Sequence, residues 1–350
     1  LKEDNKDNEG VEKLIADNLG IIQKYRCISD SKEDELSIEI ETFSPSDKAM
    51  DLIAIDGSYS FILNLSSMWL AVIRVGALHY RFSEDKGYEL IDSKVDEKPV
   101  IVSTKKEIMS RMGTLEEKLF TATRYASEQH REMVNQLRRL MEEEMAYELA
   151  KTNENVIIAM DGTLTPLKAT MVLKKAMDEC EKNNNILVGV SKDSYTHSFK
   201  SYKTDEEVLS KMDFQKMGYT PMPMSKSERK DSLLYDRMLG EVYYAKLHPD
   251  AKKWFRIDIG TFKKEPERVF SHLAHYSKST LCPGYIYPLL ETHRYVVTVR
   301  HFHNLYEDMI LSMAQNYDIS IQETINALTH VEGARRGAFH EYLDQVSREV

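Results

Sequence analysis

Three short apolar runs constrain this chain more than any other feature. Leu52–Ile55, Val156–Met160 and Ile186–Val190 each stop at a polar pair: Asp56-Gly57, Asp161-Gly162 and Ser191-Lys192. Runs of four or five β-type residues that end in turn chemistry read as buried strands. Between the first two lies a stretch from about Thr114 to Lys151 with no Gly or Pro and with apolar or small residues at helical intervals. A second helix is expected over Lys168–Glu181. Strand–helix–strand alternation implies crossover connections, hence parallel pairing within a mixed sheet. The fold class is therefore α/β, a mixed sheet flanked by helices.

The rest of the chain adds elements of lower definition. Val11–Tyr25 has helical spacing, and Met68–Leu78 reads as a second strand. Thr204–Asp231 is polar, Met-rich and broken by proline, so a long loop or small insertion is expected. Glu241–Leu247, Trp254–Ile259 and Tyr295–Val299 are β-type runs, and a helical tail is expected from about Asn304 to Val350. The domain plan is an acidic helical extension over 1–50, one domain over 51–303 and a helical tail over 304–350 packed on it.

Composition excludes several classes. With 42% hydrophobic and 30% charged residues the chain can bury a core. Fourteen glycines and nine prolines in 350 residues are too few for a sandwich stitched by many tight turns. The three cysteines, Cys27, Cys180 and Cys282, are far apart and show no metal-ligand spacing. That pattern supports neither a disulfide framework nor a zinc site, and a reducing cytoplasm is the default expectation. Phe61–Leu78 is interrupted by Asn64, two serines and Arg74, so no membrane span is expected. No signal peptide is expected either, since the first ten residues are acidic and polar. The net charge of −10 argues at first against nucleic acid. Its distribution does not: residues 191–303 carry 19 basic and 14 acidic side chains, while 1–50 and 304–350 are acidic.

The chemistry-bearing pattern is the repeated strand end, IAIDGSYS at Ile53–Ser60 and IIAMDGTLTP at Ile157–Pro166. A carboxylate at a strand end followed by glycine lies at the mouth of a sheet, where backbone can approach a ligand. Asp-Gly is also simply a turn after a strand. Both together, each after an apolar run, favour an oxygen-ligand site for Mg²⁺ or Mn²⁺ shared by Asp56 and Asp161. The segment DGTLT resembles the haloacid-dehalogenase signature DxDGT, but the nucleophile position holds Ala159, and Ala54 stands at the matching place before Asp56. A third carboxylate should come from the long helix, where Glu142, Glu143, Glu144 and Glu148 are candidates. Glu144 and Glu148 share a face at i,i+4. Further on, VGVSKDS (Val188–Ser194) puts Lys192 at a strand end, where it can hold a phosphate. CPGYIYPLLETHRYVV (Cys282–Val297) brings Tyr285, Tyr287 and His293 into one stretch.

Five motifs in order resemble the NurA nuclease family: the AIDGS strand, the glutamate-bearing helix, the second DG strand, the SK strand end, and GY-x-YPL-x-x-x-H. The resemblance runs from about Asp51 to His293. It implies an RNase H-like core, a homodimer, Mn²⁺-dependent (or Mg²⁺-dependent) DNA cleavage with 5′→3′ exonuclease activity, and partnership with HerA, a hexameric DNA-translocating ATPase, in end resection during double-strand-break repair. Carried over by position, Asp56 and Asp161 are strand ligands and Glu144 is the helix ligand, with Glu143 and Glu148 as alternatives. Lys192 takes the SK lysine position and His293 the late histidine. Tyr285 takes the tyrosine position, with Tyr287 as fallback. Thr292 and Ile286 depart from the usual pattern.

The implied chemistry is hydrolysis of a phosphodiester by two cations about 3.5–4 Å apart. Asp56, Glu144, Asp161 and His293 would form the cage, Lys192 would neutralise phosphate charge, and Tyr285 would stack on a base or position the phosphate. No base-reading motif is present, so no sequence specificity is expected. The acidic total predicts weak, salt-sensitive DNA binding by this chain alone. Two other classes share these features: an RNase H-like nuclease on RNA or branched DNA, and a non-catalytic adaptor that loads a motor ATPase.

Overall fold

Among the described residues, nine strands form one mixed sheet in the computed structural model. It describes residues 16, 18–21, 23–24, 38–64, 68–103, 129–167, 171–199, 203–223 and 238–314. The strands are β1 (Glu41–Thr42), β2 (Leu52–Asn64), β3 (Met68–Ser83), β4 (Gly87–Ser103), β5 (Ile157–Asp161), β6 (Ile186–Ser191), β7 (Gly218–Pro221), β8 (Glu241–Lys246) and β9 (Phe255–Ile259). Their order across the sheet is β1-β7-β8-β9-β6-β5-β2-β3-β4. Only the central three run parallel, with Ile55 opposite Met160 and Met160 opposite Gly189. The crossovers are α1 (Gln129–Thr152) and α2 (Val172–Lys182); then come α3 (Asp205–Ser210), α4 (Pro266–Leu273), α5 (Tyr287–Val297) and α6 (His303–Ala314).

Strand alternation sorts the core into two layers. Ile53, Ile55, Ile158, Met160 and Leu187 face α1 and α2, which cover them with Val134, Leu137, Met141, Leu173 and Met177. In α2 the buried residues Leu173, Ala176, Met177 and Cys180 follow the i, i+3, i+4, i+7 stripe of an amphipathic helix. Leu52, Ala54, Ile157, Ala159, Val188 and Ile257 face the other way, against Phe270, Leu273 and Leu289 of α4 and α5. Each fully buried large aliphatic side chain contributes about 1.5–3 kcal/mol.

The expected strands and crossover helices are present, and the differences have physical causes. β2 does not stop at Asp56-Gly57: it continues to Asn64 because β3 hydrogen-bonds to it well past the point where β5 ends. β4 is too polar to read as a strand, since residues 89–98 are exposed at the sheet edge. Pro99 and the irregularity at His79/Tyr80 in its pairing with β3 are ordinary edge features. Tyr295–Val299 is helix and 3-10 turn, not strand. Pro288 in the first turn presets the helix, and Leu289, Thr292 and Val296 share its buried face, so packing overrides β propensity. Thr204–Asp231 contains α3, with a capping box from Thr204 and Glu207, and strand β7. Within the segment expected as an extension, Glu41–Thr42 pairs with β7 and Phe43 packs on Tyr219 and Phe270.

The expected helix start near Thr114, most of Val11–Tyr25 and the tail beyond Ala314 lie outside the described residues. No helix among the described residues is long and apolar enough to cross a membrane.

One buried amide ties the crossovers together. Asn185 donates through Nδ2 to the carbonyls of Asn153 (2.8 Å) and Ala150 (3.2 Å) and accepts from Val156 N at 3.1 Å. It thus joins the end of α1 to the starts of β5 and β6. Asn185→Ala leaves Val156 N and the Asn153 carbonyl without this partner, while the Ala150 carbonyl keeps Asn183 Nδ2 at 2.8 Å, and is expected to lower stability by about 1–3 kcal/mol in urea denaturation.

Candidate active site

Parallel register brings the two aspartates together. Ile55 and Met160 are cross-strand partners, so Asp56 and Asp161 follow side by side at the carboxyl ends of β2 and β5, directed to the same face. Asp161 is the partner of Val190 on β6, and Lys192, two residues further, returns to that face. Its ammonium stands between the carboxylates, 3.0 Å from Asp161 Oδ2 and 3.9 Å from Asp56 Oδ2.

Helix α5 closes this corner. His293 Nδ1 lies 2.7 Å from Asp56 Oδ2, and an ionised Asp56 accepts its hydrogen, which leaves Nε2 as the exchangeable nitrogen. The other oxygen of Asp56 accepts from Gly57 N at 2.8 Å. Thr292 explains its own place: its fully buried hydroxyl donates to the Pro288 carbonyl of its own helix at 2.8 Å and lies 3.3 Å from the Ala54 carbonyl, which packs the helix on the strand that carries Asp56. The Tyr285 hydroxyl reaches Asp161 Oδ1 at 3.5 Å, and its ring packs on Phe255. Tyr287 instead stacks on Tyr88 and takes no part.

The glutamate that faces the aspartates is Glu142, not Glu144. Gly57 sits in β2 with its missing side chain toward α1. A Cβ there would meet Glu142 Oε1 at 2.7 Å and Arg138 Cγ at 3.0 Å, so only glycine admits them. Arg138 pairs with Glu142 and lies 3.3 Å from the Gly57 carbonyl. Two residues on, helix rotation turns Glu144 to solvent, where its charged neighbours are Lys98 and Asp96 of β4. Glu148 is also exposed and pairs with Lys151. Glu143 is buried beside Arg139, whose Nη2 donates to the Thr163 and Thr165 carbonyls at 2.6 and 2.7 Å.

Sequence reading missed the residues that hold this loop. Leu164 N donates to Asp258 Oδ2 at 3.0 Å, and buried Arg256 neutralises Asp258. The i,i+4 spacing of Arg138 and Glu142 is legible in the sequence, whereas their approach to Gly57 is not.

The electrostatics show a surplus of negative charge. Burial, and then the field of Asp56, raise Asp161 above the usual carboxylate range against the pull of Lys192 and His293. Burial pushes Glu142 up to about 8; Arg138 opposes this, and Asp56 and Asp161 add to it. Among the described residues no three His, Cys, Asp or Glu side chains are arranged to hold a metal ion as they stand. The donor chemistry nevertheless fits a hard divalent cation: two strand-end carboxylates, a third whose proton is retained in their field, and one imidazole.

Comparison with known proteins agrees with this layout. The family described as "NurA domain" matches residues 50–298, from just before β2 to the turn after α5. Among solved structures, the NurA nuclease from Sulfolobus solfataricus is similar at 15% identity and TM-score 0.50, covering 86% of this chain and 97% of that one. A second NurA structure has 12% identity and TM-score 0.50, covering 87% and 96%. A third, of NurA bound to dAMP and manganese, has 13% identity and TM-score 0.45, covering 82% and 92%. Comparison with curated proteins gives no match.

The Glu142 environment has a pH signature. The folded chain keeps this proton to about pH 8, whereas an unfolded chain releases it near 4.5. The stability it confers is full below pH 4.5 and is lost as pH rises toward 8, at a limiting slope of about 1.4 kcal/mol per pH unit. Urea denaturation in EDTA between pH 5 and 8 should show this fall in the wild type and a flatter profile in Glu142→Gln.

Proposed function

The chain belongs to the NurA nuclease family, and from that premise we propose that it is a Mn²⁺- or Mg²⁺-dependent deoxyribonuclease with its site at Asp56, Asp161 and Glu142. One observation carries the reading: two carboxylates on adjacent parallel strands face each other across a single lysine ammonium, with a histidine on the more buried one. Buried like charges of this kind are costly unless a cation relieves them. A purely structural corner would be better served by apolar side chains.

In this reading Asp56, Asp161, Glu142 and His293 would hold the cations, which when bound supply a nucleophile at neutral pH and neutralise charge on the phosphate. The chain's own groups do the rest. Lys192, released from the carboxylates, places its ammonium on a non-bridging phosphate oxygen. His293, with Nδ1 held by Asp56, has only Nε2 to offer, as a cation ligand or, where it holds none, as the group that takes or returns a proton. Tyr285 orients Asp161 through its hydroxyl. Arg138 and the absent side chain at Gly57 fix the Glu142 carboxyl. Arg139 and Asp258 hold the loop behind Asp161.

The family resemblance supports the finer statement. The enzyme is proposed to digest single- and double-stranded DNA 5′→3′, with single-strand endonuclease cleavage as a further mode. It would act as a homodimer with a HerA-type hexameric ATPase in DNA end resection and double-strand-break repair. The sequence carries no base-reading motif, in keeping with cleavage independent of sequence.

Two measurements test this. Asp56→Asn and Asp161→Asn should each reduce Mn²⁺-dependent degradation of end-labelled DNA at least about 1,000-fold, with the folded circular-dichroism spectrum retained. Full activity in either variant overturns the assignment. Glu142→Gln and Glu144→Gln separate the helix carboxylates. The first should lose about 100-fold or more in kcat, and the second should stay within about twofold of the wild type.

A further inference from the structure

Tyr285 cannot stack on a base. Its side chain is only 6% exposed and its ring lies against Phe255, so its hydroxyl alone reaches the site. Holding an unpaired strand without reading its sequence calls for an aromatic face open to solvent. Tyr195 offers one. It is 83% exposed, the most exposed of the large hydrophobic side chains in the described residues, and it follows Lys192 by three positions. Three residues span at most about 10 Å of backbone, so Tyr195 is carried on the same loop that leaves the strand end bearing Lys192.

The backbone on both sides of Tyr195 is anchored. Lys253 Nζ bridges Asp193 at 2.7 Å and Glu206 at 2.9 Å. Ser194 Oγ lies 2.8 Å from Thr196 Oγ1, which lies 2.6 Å from the Tyr244 hydroxyl. Tyr244 donates to fully buried Asp205, which also accepts from Ser198 Oγ at 2.7 Å and from Phe199 N at 3.0 Å. The Thr196 carbonyl accepts from Asp205 N at 2.8 Å. A buried carboxylate thus fixes the loop while leaving one aromatic ring outside. Burial of the flanking residues accounts for the network, but not for a tyrosine at its tip. A ring on an ordered loop loses less freedom on stacking than one on a loose segment.

We infer that Tyr195 is the stacking platform for an unpaired base beside the Lys192 phosphate. The inference rests on the nuclease reading for its substrate, but its test does not require cleavage.

The full chain and its Tyr195→Ala and Tyr195→Phe variants are titrated, with Ca²⁺ in place of Mn²⁺, into a single-stranded oligonucleotide carrying 2-aminopurine near its 5′ end. Wild type should bind and change the 2-aminopurine emission. Tyr195→Ala should bind about 5- to 100-fold more weakly and lose that change, and Tyr195→Phe should recover most of both. The thermal midpoint of the free protein should be the same in all three, because the ring is exposed. Binding by Tyr195→Ala at wild-type strength, or no binding by the wild type, overturns the platform. Degradation of the same oligonucleotide with Mn²⁺ separates the two readings. Tyr195-dependent binding without any cleavage removes the nuclease and leaves the platform. Cleavage with an unaltered KM in Tyr195→Ala removes the platform and leaves the nuclease.

Discussion

Two carboxylates at the ends of neighbouring parallel strands cannot occupy one buried corner without positive charge. That constraint organises the centre of this molecule. Asp56 is 2% exposed, and Asp161 is placed beside it by strand register rather than by any attraction. Lys192 reaches them because the third parallel strand continues the same register, and His293 because α5 is tied to β2 through Thr292. Each of these groups is where it is to offset a repulsion that the sheet creates. Under the proposed metal-dependent reading, the lysine contact would give way to divalent cations without rebuilding the fold, since the strands hold the carboxylates in either case.

The sheet also separates two roles. One face carries Asp56, Asp161 and Lys192, which meet Tyr285 and the His293 of α5. The other carries α1, and its Glu142 reaches the same neighbourhood only because Gly57 leaves a gap in β2. The two Asp-Gly pairs therefore look alike for different reasons. Gly162, with φ at 96°, lets the chain turn away after β5, whereas Gly57 lies in a continuing strand and clears a path for a carboxyl and a guanidinium. Glu142 then sits in a low-dielectric position within the field of the aspartates, which is why its proton is retained so far above the usual range.

The overall charge of −10 takes on a different meaning in this setting. Part of the acidity is the site itself. The basic stretch 191–303 supplies Lys192, the Lys253 bridge behind it and the Arg256 that neutralises Asp258. These three charges neutralise carboxylates of the chain itself.

The sequence by itself determined the α/β class, the three central strands and the crossover helices, and it singled out Asp56, Asp161, Lys192 and His293 as candidates, which the fold brings to one corner. All of these rest on local patterns: apolar runs of strand length, helical periodicity and polar residues at run ends. The polar edge strand β4 was hidden because its residues need bury nothing, and the helix at Tyr295–Val297 because its β-branched side chains are overruled by packing on the sheet. The helix glutamate shows the boundary most clearly. Four glutamates within seven residues are equivalent in a sequence: the i,i+4 spacing only puts Glu144 and Glu148 on one face, and it is the family resemblance that places the ligand at Glu144. Only the rotation of α1 over Gly57 turns Glu142 inward and Glu144 out to Lys98. Which tyrosine serves the carboxylates and which stands in solvent was likewise settled by tertiary structure, because burial of Tyr285 and exposure of Tyr195 depend on what packs around each ring.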